Sequence, residues 1–90
     1  MSVAETTVTI QNRHGLHVRP ATQLAELAGK FKSPVMIVKD GQEVSARSII
    51  ELLTLAAAYG TELRIKAEGP DAAEAVDAVQ KLIAGRFGLE

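Results

Sequence analysis

A regular alternation of charged and apolar residues in the second half of the chain constrains its fold most. From Glu62 to Ala67, charged side chains at the even positions alternate with apolar side chains at the odd positions. Because successive side chains of a β-strand point to opposite faces of a sheet, this pattern predicts a strand with one face in water and one face buried. A sheet with one wet face needs helices on its other face only, so we expect a two-layer α+β domain.

The rest of the chain contains three more strand patterns and three helix patterns. Asp40-Gly41 is a strong signal for a two-residue hairpin turn, and it separates β-rich segments at Val35–Val38 and Gln42–Ala46. Thr7–Ile10 alternates polar and apolar residues, and helical spacing begins at Val18. The expected order is β-α-β-β-α-β-α, an open-faced sandwich with a four-stranded antiparallel sheet and three helices on one face.

Polar residues predict where the second and third helices begin. Ser48 and Glu51 have the spacing of a capping box, in which each side chain accepts a hydrogen bond from the backbone N–H group of the other residue. The apolar helix that follows is expected to end before Gly60. Asp71 and Glu74 have the same spacing at the start of the last helix. Both helices are expected to turn an apolar face to the sheet.

The composition favours one small domain and argues against several classes of protein. The 90 residues suffice for a single domain, which we place at residues 1–88, with Leu89–Glu90 as a tail of uncertain role. The net charge of -1 argues against nucleic-acid binding, and the lack of cysteine excludes disulfides and thiolate metal sites. Residues 1–10 lack the features of a signal peptide, and no apolar stretch is long enough to cross a membrane, so we expect a cytoplasmic protein.

The segment Gly15–Ala21 carries the main functional signal. His17 follows a glycine turn and directly precedes the first helix, and Arg19 and Pro20 follow it. The N-terminus of a helix attracts anions, because its free N–H groups and the helix dipole present partial positive charge. Proline suits the first helical turn, and Gly15 suits a backbone conformation that other residues avoid. The arrangement predicts a histidine that carries a phosphoryl group, with Arg19 as its charge partner.

Simpler interpretations stay open for the same residues. His17 could serve only as a helix cap, Arg19 as a solvated cation, and Ser48 as a cap without a regulatory role. His14 and His17 could bind a metal ion together, but no cysteine or carboxylate is close to them in sequence, so we expect no metal site. A third class of function is a small interaction module without phosphoryl chemistry.

Two motifs resemble the phosphocarrier HPr family of the bacterial phosphoenolpyruvate-dependent sugar phosphotransferase system. The first is Gly-Leu-His-x-Arg-Pro-Ala at Gly15–Ala21. The second begins at Arg47–Ile50 and continues through Leu52–Leu55 at the family's spacing. The resemblance covers essentially the whole chain, and the family's order of elements agrees with the predicted one.

The resemblance implies a chemical role for each motif. Enzyme I would phosphorylate His17 on Nδ1, Arg19 would steady the phosphoryl group, and a histidine of a sugar-specific IIA domain would receive it. Ser48 would match a serine that an ATP-dependent HPr kinase/phosphorylase modifies in many bacteria. Such a protein is a carrier and not an enzyme, and we expect it to be a monomer that needs no cofactor.

An apolar surface beside His17 would bind the partner proteins. The second helix is apolar on most sides and the sheet can cover only one of them, so we expect Leu52 and Leu55 in the core. The other apolar side chains are expected to remain exposed as a docking patch. The patch is expected to consist of Ile49, Ile50 and Leu53, with Val18 next to the histidine.

The chain departs from the family pattern at three positions. Val18 stands where relatives usually have alanine or threonine, and its branched side chain is stiffer beside the reactive ring. Glu26 and Glu51 stand where many relatives have lysine or a neutral residue, and both should weaken docking to acidic partners. The cations that could compensate are Arg13, Lys30 and Arg47. The alternative that stays open is a regulatory relative from a nitrogen-related or an incomplete phosphotransferase system.

Overall fold

The computed structural model describes residues 2–89, which form four strands, three helices and a short final turn. The strands are β1 (Ser2–Thr9), β2 (Val35–Lys39), β3 (Gln42–Ser45) and β4 (Glu62–Gly69). The helices are α1 (Val18–Ala28), α2 (Ile49–Thr54) and α3 (Ala72–Ala84), and the turn is Arg86–Gly88. The predicted order β-α-β-β-α-β-α is confirmed.

The strands form one antiparallel sheet in the order β1-β4-β2-β3. The predicted alternation in β4 is confirmed, because Leu63, Ile65 and Ala67 are buried while the charged residues between them reach water. Helix α3 packs across β1 and β4, and α1 packs against α2 and α3, so the helices cover one face of the sheet. The protein is therefore the two-layer α+β sandwich that the sequence predicts.

The hairpin between β2 and β3 has the turn that its sequence predicts. Asp40 and Gly41 both have positive φ angles, 48° and 84°, as a type I′ turn requires. Ile37 lies opposite Val44 in the resulting register, and both side chains are buried in the core.

Strand β1 is longer than the pattern predicts. It begins at Ser2 and ends at Thr9, whereas the alternation predicted a strand over Thr7–Ile10. The additional residues pair with β4 along its whole length, from Ser2 opposite Gly69 onward. The hydrogen bonds to β4 extend the strand where the side-chain pattern alone gives little signal.

Helix α2 is short because the backbone enters the left-handed region two residues after its end. The helix ends at Thr54, six residues before Gly60. Ala56 has a φ angle of 49°, in the left-handed region that a right-handed helix cannot include. The chain then runs as a loop to β4, and this loop packs against the glycine turn before His17, as described below.

The start of α3 uses its aspartate differently from the prediction. Asp71 directly precedes the helix, but its side chain makes no capping hydrogen bond. The carboxylate accepts instead from the Ser33 hydroxyl (2.6 Å) and from the backbone N–H groups of Ser33 (2.8 Å) and Lys32 (3.0 Å). These bonds, above all that from the Ser33 hydroxyl, lower the pKa of Asp71 to about 2. Asp71 therefore joins α3 to the loop between α1 and β2.

The end of the chain folds back onto the core. Phe87 is buried, and Leu89 is half-buried and packs against the core residues. Glu90 lies outside the described residues, so the role of Leu89–Glu90 as a tail stays a prediction. Within residues 2–89, no helix combines the length and apolar character needed to cross a membrane.

Candidate functional site

A tight turn over residues 12–15 leads into the helix that begins after His17. The N–H group of Gly15 donates to the carbonyl of Asn12 (3.1 Å), and the Asn12 side-chain amide donates to the carbonyl of Gly15 (2.7 Å). Asn12 is only 1 % exposed, so these hydrogen bonds are shielded from water. The next N–H group, that of Leu16, donates to the carbonyl of Ala57 (2.8 Å). The turn is therefore held by its own bonds and by the loop after α2.

Gly15 is required at this turn for two reasons. Its φ angle is 68°, a conformation that other residues adopt only with strain. A Cβ atom at this position would lie 2.4 Å from the Ala57 carbonyl oxygen and 2.9 Å from the Ala58 Cα atom. Since both contacts are with backbone, any larger residue would push the turn away from the loop after α2. The predicted structural role of Gly15 is confirmed, and the reason includes this close approach.

His17 occupies the cap position of α1 but does not cap the helix with its side chain. Its backbone is extended (φ -101°, ψ -167°), and the ring makes no capping hydrogen bond. The backbone N–H group donates to the carbonyl of Gly15 (3.1 Å), and the carbonyl accepts from the N–H group of Ala21 (2.9 Å). The backbone thus fixes the residue while the imidazole stays exposed. A purely capping role for the His17 side chain is therefore wrong.

The first turn of α1 leaves backbone donors close to the imidazole. Val18 and Arg19 are the first two helical residues, and their N–H groups have no acceptor within the helix. Pro20 is the third, has no N–H group to leave unpaired, and is buried. The predicted place of the proline in the first turn is confirmed. Two backbone N–H groups and the helix dipole are consequently available to an anion beside His17.

His17 lines an open cleft of about 400 Å³ with two arginines. The described residues around the cleft are Arg13, His14, His17, Arg19 and Leu89. Arg19, as predicted, lies beside His17, and Arg13 adds a second guanidinium that the prediction considered only for docking. Guanidinium groups suit phosphoryl oxygens because their N–H donors form a planar fork. The cleft combines a nucleophilic ring with donors for an anion.

The two histidines of the cleft lie close to each other. The rings of His14 and His17 lie edge to face, with centroids 6.1 Å apart and planes at 79°. Among residues 2–89, no group of three or more His, Cys, Asp or Glu residues is placed to hold a metal ion. The arginines that share the cleft also repel a cation, so its electrostatics favour an anion.

Ser48 caps α2, but the predicted capping box is only half formed. The Ser48 hydroxyl oxygen accepts a hydrogen bond from the N–H group of Glu51 (3.2 Å). The Glu51 carboxylate does not return to Ser48; it accepts from the N–H group of Ser45 (3.0 Å). The N–H group of Ser48 donates to the Ser45 carbonyl instead (3.2 Å). The predicted reciprocal bond of Glu51 is therefore wrong, because a turn of backbone before α2 already satisfies that donor.

The predicted apolar patch is present, with one member less exposed than expected. Ile50 is 78 % exposed and Ile49 is 37 % exposed on α2, and Val18 is 62 % exposed at the start of α1. Leu53 is only half-buried against the core, so its predicted exposure is partly wrong. Leu52, at 0 % exposure, lies in the core as predicted, as does Leu55. The helices that carry these residues, α1 and α2, pack against each other.

One of the cations expected to attract partners has a structural bond. The Arg47 guanidinium donates to the backbone carbonyl of Phe31, which ties the start of α2 to the loop after α1. The predicted compensation for Glu26 and Glu51 stays a prediction for all three cations, of which the other two are Arg13 and Lys30. Both of these residues are exposed.

Three residues that the sequence motifs do not predict support the turn and the cleft around His17. Asn12 and Ala57 hold the glycine turn, and Leu89 lines the cleft from the end of the chain. An asparagine followed three residues later by glycine is a turn signal that could have revealed Asn12. The contacts of Ala57 and Leu89 are made across the fold and have no local sequence pattern.

Comparison with known proteins gives consistent matches over nearly the whole chain. A family model described as "PTS HPr component phosphorylation site" matches residues 4–85. The phosphocarrier protein HPr of Cupriavidus necator is 45 % identical over 80 residues, which cover 89 % of this chain and 90 % of that protein. The phosphocarrier protein NPr of Shewanella violacea is 39 % identical and covers 97 % of this chain and 96 % of its own length.

A solved structure has the same fold. HPr-C-His from Thermoanaerobacter tengcongensis superimposes with a TM-score of 0.92 at 39 % identity, over 97 % of this chain and 98 % of the other. This likeness extends the match from the sequence motifs to the arrangement of all elements.

Proposed function

Because this chain belongs to the HPr family of phosphocarrier proteins of the phosphotransferase system, we propose that His17 is the residue that carries the phosphoryl group. In this proposal, phosphorylated Enzyme I donates the group to Nδ1 of His17, and a IIA domain of a sugar transporter accepts it. The observation that carries the proposal is the exposed His17 ring at the open start of α1, in one cleft with Arg19. The protein then acts as a monomer in the cytoplasm and needs no cofactor.

The transfer requires one nucleophile and little other covalent chemistry. The lone pair on Nδ1 attacks the phosphorus atom, a new N–P bond forms, and the bond between phosphorus and the donor breaks with its electron pair leaving on the donor. In the second transfer, a histidine of the IIA domain attacks the phosphorus atom, and His17 is the leaving group. Phosphoryl transfer is promoted mainly by positioning and by neutralising charge on the phosphoryl oxygens. A carrier with few polar groups around its nucleophile therefore suffices.

Arg19 and the start of α1 provide that neutralisation. The Arg19 guanidinium and the backbone N–H groups of Val18 and Arg19 lie on the side of the molecule where the phosphoryl oxygens would arrive. Charge-assisted hydrogen bonds are shorter and stronger than neutral ones. The phosphorylated form of His17 should therefore gain more from this environment than the resting form.

Partner binding and regulation follow from the surface beside the cleft. Ile49, Ile50 and Val18 form the docking patch, and Leu53 contributes its exposed part. Ser48 lies at the start of α2, directly before the two isoleucines of the patch. Phosphorylation of Ser48 by an HPr kinase/phosphorylase would place a dianion at this edge, where it would oppose docking of an acidic partner.

The similarity to the NPr protein favours one second candidate function. The same histidine chemistry would then serve a regulatory branch of the phosphotransferase system, with no sugar transporter as the acceptor. Purified IIA domains separate the two candidates. A sugar carrier should phosphorylate a sugar-specific IIA domain much faster than a regulatory one, and a regulatory carrier should show the opposite preference.

Intact mass spectrometry tests the proposed function. The protein is incubated with Enzyme I and phosphoenolpyruvate, and we expect a gain of one phosphoryl group that acid removes. His17→Ala should gain none and His14→Ala should gain one, while both variants keep the thermal unfolding of the parent. An interaction module without phosphoryl chemistry would show no mass gain in any variant, and this result would contradict the proposal.

A further inference from the structure

The peptide group between Gly15 and Leu16 is fixed on both of its sides. The Gly15 carbonyl accepts hydrogen bonds from the Asn12 side-chain amide (2.7 Å) and from the His17 N–H group (3.1 Å). The Leu16 N–H group, which belongs to the same planar unit, donates to the Ala57 carbonyl (2.8 Å). The bond from the Asn12 amide is the shortest of the three, and the orientation of this peptide group sets the direction of the backbone into His17.

Asn12 holds Gly15 through both its backbone and its side chain. The Asn12 carbonyl accepts from the Gly15 N–H group (3.1 Å), and the side-chain amide of the same residue donates to the Gly15 carbonyl. Glycine has a wider choice of backbone conformations than any other residue, and Gly15 uses that freedom with a φ angle of 68°. Without the Asn12 amide, only the longer bond from the His17 N–H group remains on this carbonyl, and the backbone around Gly15 is freer to turn.

The Asn12 side chain is buried with one of its polar atoms unpaired. Among residues 2–89, the Asn12 Oδ1 atom is the one buried side-chain nitrogen or oxygen for which no hydrogen-bond partner is seen. The amide cannot be turned over to pair it, because Oδ1 would then face the Gly15 carbonyl oxygen, which is also an acceptor. A buried acceptor without a partner lowers stability, and departures from full pairing are expected at functional sites. The burial of Asn12 is therefore explained better by what its amide positions than by what it adds to stability.

We infer that Asn12 is a positioning residue for phosphoryl transfer and that it acts on His17 through the Gly15 carbonyl. The inference rests on the proposed function, in which Nδ1 of His17 accepts the phosphoryl group from Enzyme I. The His17 ring is exposed and makes no capping hydrogen bond, so the backbone before it has a large part in placing the ring. A displacement of about 1 Å at a reacting group slows a reaction strongly. Asn12 therefore raises the rate of the transfer step and leaves the binding of Enzyme I to the docking patch unchanged.

Transfer kinetics with Asn12→Ala test the inference. The substitution removes the amide donor and the unpaired Oδ1 atom together, so its effects on stability oppose each other. We expect kcat for transfer from Enzyme I to fall by about five- to twentyfold while KM stays unchanged. The melting temperature should stay within about 5 °C of that of the parent. A purely structural role of Asn12 does not predict a slower transfer step at nearly constant stability and constant KM.

Ser33→Ala is the matched control for this experiment. Ser33 is also buried, and its hydroxyl donates to the Asp71 carboxylate (2.6 Å). It lies after the end of α1, whereas His17 lies before the start of that helix. Ser33→Ala should lower the melting temperature and leave both kcat and KM unchanged. The kcat of the parent in Asn12→Ala, or a fall in kcat only together with a rise in KM, would overturn the inference.

A measurement on the unaltered protein keeps the test valid if Asn12→Ala does not fold. Hydrogen exchange of the side-chain amides is followed by NMR before and after phosphorylation with Enzyme I and phosphoenolpyruvate. The proton that Asn12 Nδ2 donates to Gly15 should exchange more slowly than the side-chain amide protons of the exposed Gln11, in both forms of the protein. Equal exchange rates for Asn12 and Gln11 in the phosphorylated form would overturn the inference. If the unaltered protein accepts no phosphoryl group, the proposed function fails instead.

Discussion

At the scale of single residues, the position of one imidazole depends on a glycine two residues before it. Gly15→Ala should strain the backbone by about 1–2 kcal/mol and also force a Cβ atom against the Ala57 carbonyl, 2.4 Å away. We therefore expect a lower melting temperature and slower phosphoryl transfer, because the His17 ring would move with the turn.

A second glycine provides the control for this prediction. Gly41 has a φ angle of 84°, but a Cβ atom there would meet no atom within 4 Å. Gly41→Ala should therefore lower the melting temperature through strain alone and leave the transfer rate unchanged. Equal transfer rates for the Gly15 and Gly41 variants would show that the close approach to Ala57 does not position His17.

Arg19 should contribute to the phosphorylated state more than to the resting state. A hydrogen bond to a charged group is worth about 1.5–3 kcal/mol, so Arg19→Ala should slow transfer by about ten- to hundredfold. Arg19→Lys should restore only part of the rate, because lysine keeps the charge but not the planar fork. The rates are obtained from transfer reactions that are stopped at several times. If Arg19→Ala transferred the phosphoryl group at the rate of the parent, Arg19 would not be part of the site.

The sequence predicts the positions of the residues proposed to react better than the positions of the residues that support them. His17, Arg19 and Pro20 form one short motif, and each has the place that the motif predicts. Leu89 reaches the site from the other end of the chain, where no local pattern indicates it. A contact between residues that are far apart in the sequence has no spacing pattern that could predict it.

At the scale of elements, the cap of α2 allows a test of Ser48. Ser48→Asp should keep a capping oxygen for the Glu51 N–H group and fold as stably as the parent. Its negative charge beside the docking patch should raise KM for Enzyme I.

Ser48→Asn is the matched control, because asparagine caps helices well and has no charge. Phosphoryl transfer to His17 is measured against the concentration of each variant, with thermal unfolding recorded in parallel. The same KM for the aspartate and asparagine variants would leave Ser48 as a helix cap only.

The bond between Asp71 and Ser33 predicts how stability depends on pH. The pKa of Asp71 is lowered from 3.8 to about 2 in the folded protein, so its contribution is complete above pH 3.8 and is lost as the pH falls through about 2. Part of the loss of stability at acid pH should therefore come from this residue.

Asp71→Asn removes the titrating group at nearly constant size. Its melting temperature should be lower than that of the parent at neutral pH, and the difference should narrow between pH 4 and pH 2. Parallel curves for the two proteins over this range would contradict the assigned role of the carboxylate.

Element boundaries were predicted well where local geometry determines them. Asp40-Gly41 forms its hairpin turn, and β4 follows its alternation, because side-chain periodicity and turn geometry are local properties. The bounds of β1 were not predicted, since pairing with β4 extends the strand, whereas α2 ends before Gly60 as predicted, next to the left-handed Ala56. The capping pairs were misleading for a related reason: the carboxylates of Glu51 and Asp71 bind backbone donors outside their own helices.

At the scale of the whole molecule, the ion pairs on the sheet and the cleft with His17 lie in different places. The face of the sheet away from the helices has ion pairs between Glu5 and Arg64 and between Glu43 and Lys66. Each of these side chains is between about one-third and one-half exposed, so each pair adds little to stability. The cleft with His17 and Arg19 has arginines and no described acid among its lining residues. Substitutions on the sheet are therefore suitable controls for any effect on partner binding.

The proposed function specifies one atom, Nδ1 of His17, as the carrier of the phosphoryl group. After incubation with Enzyme I and phosphoenolpyruvate, a long-range ¹H–¹⁵N spectrum of the histidine rings shows directly which ring and which nitrogen is modified. We predict that Nδ1 of His17 changes to the phosphorylated form while the His14 ring keeps both nitrogen signals. Phosphorylation of His14, or a gain in mass without any change in the His17 ring, would contradict the account.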